Sequence, residues 1–372
     1  MAISADVTNR LREMGIGLQR SSGWLIRIGM LTVVTLGVIP LLLAALGFDA
    51  AFGIRALWSG SVGSWYALSS GTLVRATPLV LTGLSVAVAF RAGVFNIGAE
   101  GQLLVGSAGA AAIGVAWGAS LGALAIPIEL GVGALVGAAW AGIAAMLRAR
   151  FRVLEVISTL MLNFIALYAV AYLVRGPLQE PLRIYPQSSP VALAARLPRL
   201  GPDTRLHAGF LIALVAAGTL WWWMRSTSDG FRLRAVGANP DAARSAGEID
   251  VEATTMRAFL ISGALAGLAG AVELTGVTFA LYENISPGYG YSGIAVALLA
   301  ALDPLGVVAS AFLFGALEAG GSAMQRDAGI PATVVSVAEA LIILMLLAVW
   351  KVRIGTATGA AAGTSQRAGS DV

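Results

Sequence analysis

Residues 95–124 read FNIGAEGQLLVGSAGAAAIGVAWGASLGAL, and this stretch decides the fold. No charged residue stands between Glu100 and Glu129. A helix needs about 20 apolar residues to cross a bilayer, and 101–124 supplies them. Just before it, Phe95-Asn96-Ile97-Gly98-Ala99-Glu100-Gly101-Gln102 joins two apolar runs that lie too close together for an ordinary loop. Gly98 and Gly101 let backbone turn tightly or approach a ligand. Asn96, Glu100 and Gln102 supply the donors and acceptors that a hydroxylated solute needs. The same polar residues would also suit a cytoplasmic turn facing water.

The rest of the chain follows this pattern. Of 372 residues, 58% are hydrophobic and 12% charged, and mean hydropathy is +0.82. Soluble domains carry about 25% charged residues, so a soluble enzyme is excluded. Apolar runs at 24–48, 76–91, 101–124, 130–147, 155–174, 207–225, 257–281, 290–302, 304–320 and 331–350 predict an all-α membrane protein of about ten spans. The first run exceeds the roughly 7–15 residues of a signal-peptide core and reads as an uncleaved span, with Arg27 able to snorkel. Runs 76–91 and 290–302 are short and are each followed at once by another. Broken spans of this kind in transporters often mark the substrate path.

Formal net charge is +4, and Lys351 is the only lysine. The cations cluster at Arg148, Arg150 and Arg152, at Arg225, Arg232, Arg234, Arg244 and Arg257, and at Lys351 and Arg353. The positive-inside rule puts all three clusters in the cytoplasm, with both termini. The charge is therefore a loop signal and not a nucleic-acid footprint. The organisation expected is a basic cytoplasmic tail over 1–23, with Arg10, Arg12 and Arg20, then a transmembrane domain over 24–353, then a disordered Gly/Ala/Ser/Thr-rich tail over 354–372.

Absences narrow the chemistry. There is no cysteine, and His207 is the only histidine, which removes disulfides, zinc thiolates and His-rich metal sites. Lys351 precedes Val352, so the phosphate-binding lysine motif G-x-x-x-x-G-K-[ST] does not occur. No nucleophile with a base is visible.

Two loops are long. Residues 175–206 hold Pro177, Pro181, Pro186, Pro190, Pro198 and Pro202 and cannot form one helix. They read either as a docking surface outside the membrane or as a rigid cap. Within the cytoplasmic stretch 226–256, Asn239-Pro240-Asp241-Ala242-Ala243-Arg244-Ser245-Ala246-Gly247 has the punctuation of a short helix. Asn239 can N-cap it, Pro240 suits its first turn and Gly247 can end it. Two turns are unstable alone, so a partner protein or the chain's own membrane domain must hold this helix.

Further polar positions lie within apolar runs, where they are costly and suggest function. Glu155, Thr159 and Asn163 are spaced by four and share one helix face, which can line a path or bond neighbouring helices. Glu273, Glu318 and Glu339 stand singly, and Glu129, close to Pro127, reads as lying at an outer turn. Gly133, Gly137 and Ala141, like Gly263 and Gly267, put small residues on one helix face and permit close helix contact.

Five segments carry a resemblance. RATPLVLTG at 75–83 followed by FRAGVFNIGAEGQ at 90–102, EVISTLMLNFIA at 155–166, RAVGANPDAAR at 234–244 and GYSGIAVALL at 290–299 closely resemble permease subunits of bacterial ABC importers for nucleosides and simple sugars. That branch belongs with the branched-chain amino acid and ribose permeases. The likeness runs in order from about residue 70 to 350. It departs at Ala300-Ala301-Leu302-Asp303-Pro304, where a glycine would follow the two leucines, and at Gly247-Glu248-Ile249.

The resemblance implies a type II importer permease with about ten helices in two inverted halves, in the bacterial inner membrane. It implies a second permease chain, often a paralogue, and an ABC ATPase, commonly two domains in one chain, that binds ATP and Mg. It also implies an external substrate-binding lipoprotein. No cofactor is expected in this chain. The resemblance maps the coupling helix onto Asn239–Gly247, so that Arg234, Asn239, Pro240, Ala242, Ala243 and Arg244 form the expected ATPase contact. Phe95, Asn96, Glu100, Gln102, Glu155, Thr159 and Asn163 form the expected path for a nucleoside or, second, a simple sugar. The competing reading is a proton-coupled secondary transporter working through Glu100, Glu155 or Glu273.

Overall fold

In lipid a backbone can satisfy its N–H and C=O groups only within itself, so the charge-poor runs coil into helices. The computed structural model describes residues 37–247, 249–331, 333–338 and 340–341, together with Gly29. Arg27, Glu339, Lys351, Arg353 and both tails lie outside the described residues, as does about half of each of the first and last apolar runs. Residues 37–45 are helical. The named helices are α1 (Ala50–Ser61), α2 (Leu73–Arg91), α3 (Ala99–Leu121), α4 (Ala125–Phe151), α5 (Glu155–Arg175), α6 (Gly209–Ser226), α7 (Ser228–Ala238), α8 (Pro240–Ser245), α9 (Val251–Glu273), α10 (Tyr289–Leu299) and α11 (Pro304–Ala328). The described residues hold no strand, only three isolated bridges. Five stretches are long and apolar enough to cross a membrane: Ala67–Arg91, Ala99–Phe151, Glu155–Arg175, Val251–Thr278 and Pro304–Ala328. Ala99–Phe151 is α3 and α4 joined by one 3-10 turn at Gly122–Leu124.

Several boundaries differ from the hydropathy reading. The 76–91 run is not short, because a π-helical turn over Ala67–Thr72 leads into α2 and Arg75 and Pro78 lie inside the continuous helix. A single arginine among apolar residues ended the run on hydropathy but not in the backbone. The 290–302 run does stay short, as α10. Glu129 is not at a turn but inside α4, fully buried. Helix α1 lies outside all the apolar runs, because Arg55 and its serines and glycines interrupt the hydropathy there.

α2, α3, α9 and α11 each bury more residues than any other helix. α4 and α5 bury one narrow face each and leave Leu135, Tyr168 and Tyr172 exposed, as lipid-facing helices do. The two small-residue stripes meet each other. Gly137 of α4 lies against the Gly263 carbonyl and Gly267 of α9, where any side chain would collide with backbone. Bonds that join separate elements of the chain define two ends. At the arginine-rich end, Arg148 pairs with Glu155 (3.4 Å) and Arg225 with Asp303 (3.1 Å). At the opposite end, the loop after α5 is tied to the segment after α9. Ser188 N donates to the Leu281 carbonyl (2.8 Å), Val191 N to Phe279 (2.8 Å) and Leu197 N to Thr275 (3.0 Å). Arg175 pairs with Glu283. Gln187 and the Tyr185 amide both donate to Glu180 and hold its carboxyl below the usual carboxylate range.

Candidate translocation site

Two non-helical segments enter the bundle from opposite ends. Residues 92–98 leave α2 at the arginine-rich end, where Arg91 donates to the carbonyls of Ala301 and Leu302 (3.3 and 3.2 Å) and Gly93 lies on Gly237. Residues 279–288 come from the other end. The helices that follow, α3 and α10, begin deep in the bundle and meet by their N-termini. The Gly290 amide of α10 donates to Glu100 Oε2 of α3 (2.7 Å). Gly290 lies so close that a Cβ there would fall on the Glu100 backbone. Thr82 Oγ1 donates to the Tyr289 carbonyl at 3.0 Å. Thr82 is nine residues from Arg91, so this junction lies about 14 Å from the helix end, near the middle of a hydrocarbon core about 30 Å thick.

Chemistry explains the acid at this point. An α-helix leaves its first N–H groups unbonded and carries a partial positive charge there. Glu100 sits in the first turn of α3 and receives an amide from the first turn of α10, so one carboxylate serves two helix N-termini. Ser286 Oγ accepts from the amides of Gly288 (3.2 Å) and Tyr289 (3.1 Å), capping α10.

A polar network surrounds the junction. Asn96 and Gln102 exchange two side-chain bonds, each 3.0 Å, and Asn96 also donates to Ser262 of α9 (2.8 Å). Ser262 bonds Ser85 of α2 (2.9 Å). Thr159 Oγ1 accepts from Ile97 N (3.3 Å). Asn163 Oδ1 accepts from Gly101 N (2.8 Å), while its Nδ2 donates to the Ile97 carbonyl (2.9 Å) and to Tyr291 Oη (3.3 Å). Asn96, Glu100, Gln102, Thr159 and Asn163 are all buried. Two of the residues singled out from the sequence stand apart. Phe95 is 53% exposed and packs edge-on against Phe90. Glu155 lies at the arginine-rich end of α5, paired with Arg148. Ser262, Ser286 and Tyr291, which is 44% exposed beside Asn163, were not singled out. Each is one hydroxyl in an ordinary helix or turn, marked only by what it bonds: Ser262 by Asn96, Ser286 by the first amides of α10 and Tyr291 by Asn163.

The second candidate region is α8. Asn239 Oδ1 accepts from the amides of Asp241 and Ala242 (both 3.0 Å), Pro240 takes the first turn, and Gly247 follows with φ +76°. Ala243 faces the chain and is buried, Ala242 faces outward, and Arg244 pairs with Asp241 at 3.7 Å. Arg234 is half-buried on α7.

Against known proteins, the family "Branched-chain amino acid transport system / permease component" matches residues 69–350. The guanosine ABC transporter permease protein NupP of Bacillus subtilis is 39% identical over 318 residues, covering 84% of this chain and 90% of its own length. The glucose ABC transporter permease protein TsgB13 of Haloferax volcanii is 38% identical over 316 residues, 82% of each chain. The nucleoside ABC transporter permease protein NupB of Lactococcus lactis subsp. cremoris is 32% identical over 315 residues, covering 82% of this chain and 86% of its own. A second guanosine permease of the same Bacillus, NupQ, and a second nucleoside permease of the same Lactococcus, NupC, match as well. No solved structure matches the chain.

Proposed function

The chain belongs to the family of branched-chain amino acid transport system permease components, and from that premise we propose that it forms half of the translocation path of an ATP-driven importer for a nucleoside. A simple sugar is the second candidate solute. The observation that carries this reading is the extent of similarity to nucleoside permeases, above all NupP over 84% of the chain. TsgB13, similar at almost the same level, keeps the sugar on the list of solutes to test.

The two breaks that enter from opposite ends support an architecture of two inverted halves meeting at the junction of α3 and α10. The path runs along that junction. Asn96, Gln102, Thr159 and Asn163 are occupied by bonds within the chain, so they shape the wall. Phe95 and Tyr291 are the exposed groups that meet solute, each an aromatic ring suited to a base or a sugar face. Glu100 holds the two helix N-termini together.

The partners are a second permease chain, an ABC ATPase that binds ATP and Mg, and an external binding protein. The occurrence of two permeases of one kind in both Bacillus and Lactococcus supports a paralogue as the second permease. α8 is the coupling helix, with Ala242 and Arg244 facing the ATPase and Ala243 anchoring α8 to its own chain. The arginine-rich end and both termini are cytoplasmic, in the inner membrane.

The test is to tag the chain, extract it gently from native membranes and identify what accompanies it by mass spectrometry. An ATPase with phosphate-binding lysine motifs and a second permease are expected. In vesicles holding the assembly, uptake of radiolabelled guanosine should require ATP, and Ala242→Trp should abolish it without loss of protein. Solute movement by the chain alone, without ATP, would overturn the proposal.

A further inference from the structure

A cleft of about 490 Å3 opens between α6, α7 and α9 at the arginine-rich end. Its lining divides by chemistry. Trp223, Leu233, Leu260 and Ile261 form an apolar wall, and Asp229, Arg232, Thr254 and Arg257 form a polar rim. Arg232 Nη1 and Arg257 Nη1 both donate to the same oxygen, Asp229 Oδ1, at 3.3 Å each. Two cations thus share one anion. Each guanidinium has five N–H donors, and the others have no partner among the described residues.

The depth of the cleft is marked by its neighbours. Trp221-Trp222-Trp223 end α6 beside Arg225, whose guanidinium lies 4.9 Å from the Trp221 ring centre. Tryptophan and arginine gather at the level of lipid headgroups. Below them Leu260, 37% exposed, opens the apolar wall sideways. A cleft with cations at headgroup level and an aliphatic wall beneath fits one kind of molecule better than any soluble anion.

We propose that this cleft binds an anionic phospholipid, with its phosphate on Arg232 and Arg257 and the start of an acyl chain along Leu260, Ile261 and Trp223. α7 continues into α8, and α9 follows them. A lipid bridging α7 and α9 therefore sets where α8 stands, and acts as a structural wedge at the coupling segment.

The test uses the full-length chain, purified in detergent with the subunits that accompany it. It is given equal amounts of phosphatidylglycerol and phosphatidylcholine of matched chain length, and native mass spectrometry reads which stays bound. One net cation near the surface corresponds to an enrichment of phosphatidylglycerol of about fivefold. Arg232→Gln with Arg257→Gln should return the bound ratio to that supplied, and Leu260→Trp, which fills the wall and keeps both arginines, should lower occupancy by either lipid. Asp229→Asn frees both guanidinium groups and should raise the enrichment, a gain that misfolding cannot imitate. Arg326→Gln, on α11 away from the cleft, should change nothing. No enrichment in the parent chain, or enrichment indifferent to Arg232, Arg257 and Asp229, would overturn the proposal. Displacement of the lipid by inorganic phosphate would also overturn it, since the cleft would then be a site for free anions.

Discussion

The junction of α3 with α10 and the α7–α8 segment are both rich in polar residues, yet they treat them in opposite ways. At the junction nearly every donor meets an acceptor of the same chain, buried and held from several helices at once. In α8 the bonds are local, between residues two to four apart, and most side chains face outward. The difference follows from solvent. A polar group left unpaired in an apolar interior costs several kcal/mol, whereas water or a partner protein can complete an exposed one. A region that closes its own network works as a rigid joint. A capped, exposed, two-turn helix is a surface left for something else to complete.

The comparison is broken most severely by crowding the joint. Gly290→Leu drives a side chain into the Glu100 backbone, and overpacking of this kind should cost about 3 kcal/mol or more. We expect little folded protein, read as a lost monodisperse peak in fluorescence-detected size exclusion. Asn163→Ala removes the acceptor for Gly101 and the donor to Ile97 and Tyr291. It should cost about 1–3 kcal/mol and lower both the thermal midpoint and uptake. Uptake that falls with an unchanged midpoint would mean that Asn163 serves the solute and not the joint.

At α8 the two readouts should separate. Asn239→Ala removes a cap worth about 1 kcal/mol to the helix, so the global midpoint should hold while ATP-driven uptake drops. A midpoint that falls with it would make α8 part of the fold's own core. The smallest effect has the opposite sign. The turn after α10 is closed by Leu302 N to the Ala297 carbonyl (2.9 Å) and Ala301 N to Leu298 (3.0 Å), with Ala301 at φ +53°. That left-handed position favours glycine. Ala301→Gly should therefore stabilise the chain by about 1 kcal/mol or less, a small upward shift in midpoint. It is also close to where the family pattern led us to expect a glycine.

Much of the molecule was legible beforehand, for identifiable reasons. Hydropathy located α3, α4, α5 and α9 because lipid permits only helices there. The N-cap and proline of α8 were readable because capping involves residues two and three apart. The start of α2 was misplaced because hydropathy counts Arg75 as a break, while the backbone continues through it and the guanidinium finds the Gly71 carbonyl and Ser322 (3.3 Å each). Glu129 was misplaced for a similar reason, a charge near a proline being read as a turn.

The sequence by itself determined that this is a helical membrane chain of a known permease family, with a polar turn before α3 and a capped helix between α7 and α9. These are properties of composition and of short-range spacing. The tertiary structure alone decided that the polar turn faces inward, that its acid serves a helix starting 190 residues later, and that Tyr291 joins Asn163 while Glu155 stands apart. Such pairings depend on how whole helices cross, and crossing is set by where glycine lets two backbones touch. No local pattern in the chain records which glycine meets which backbone.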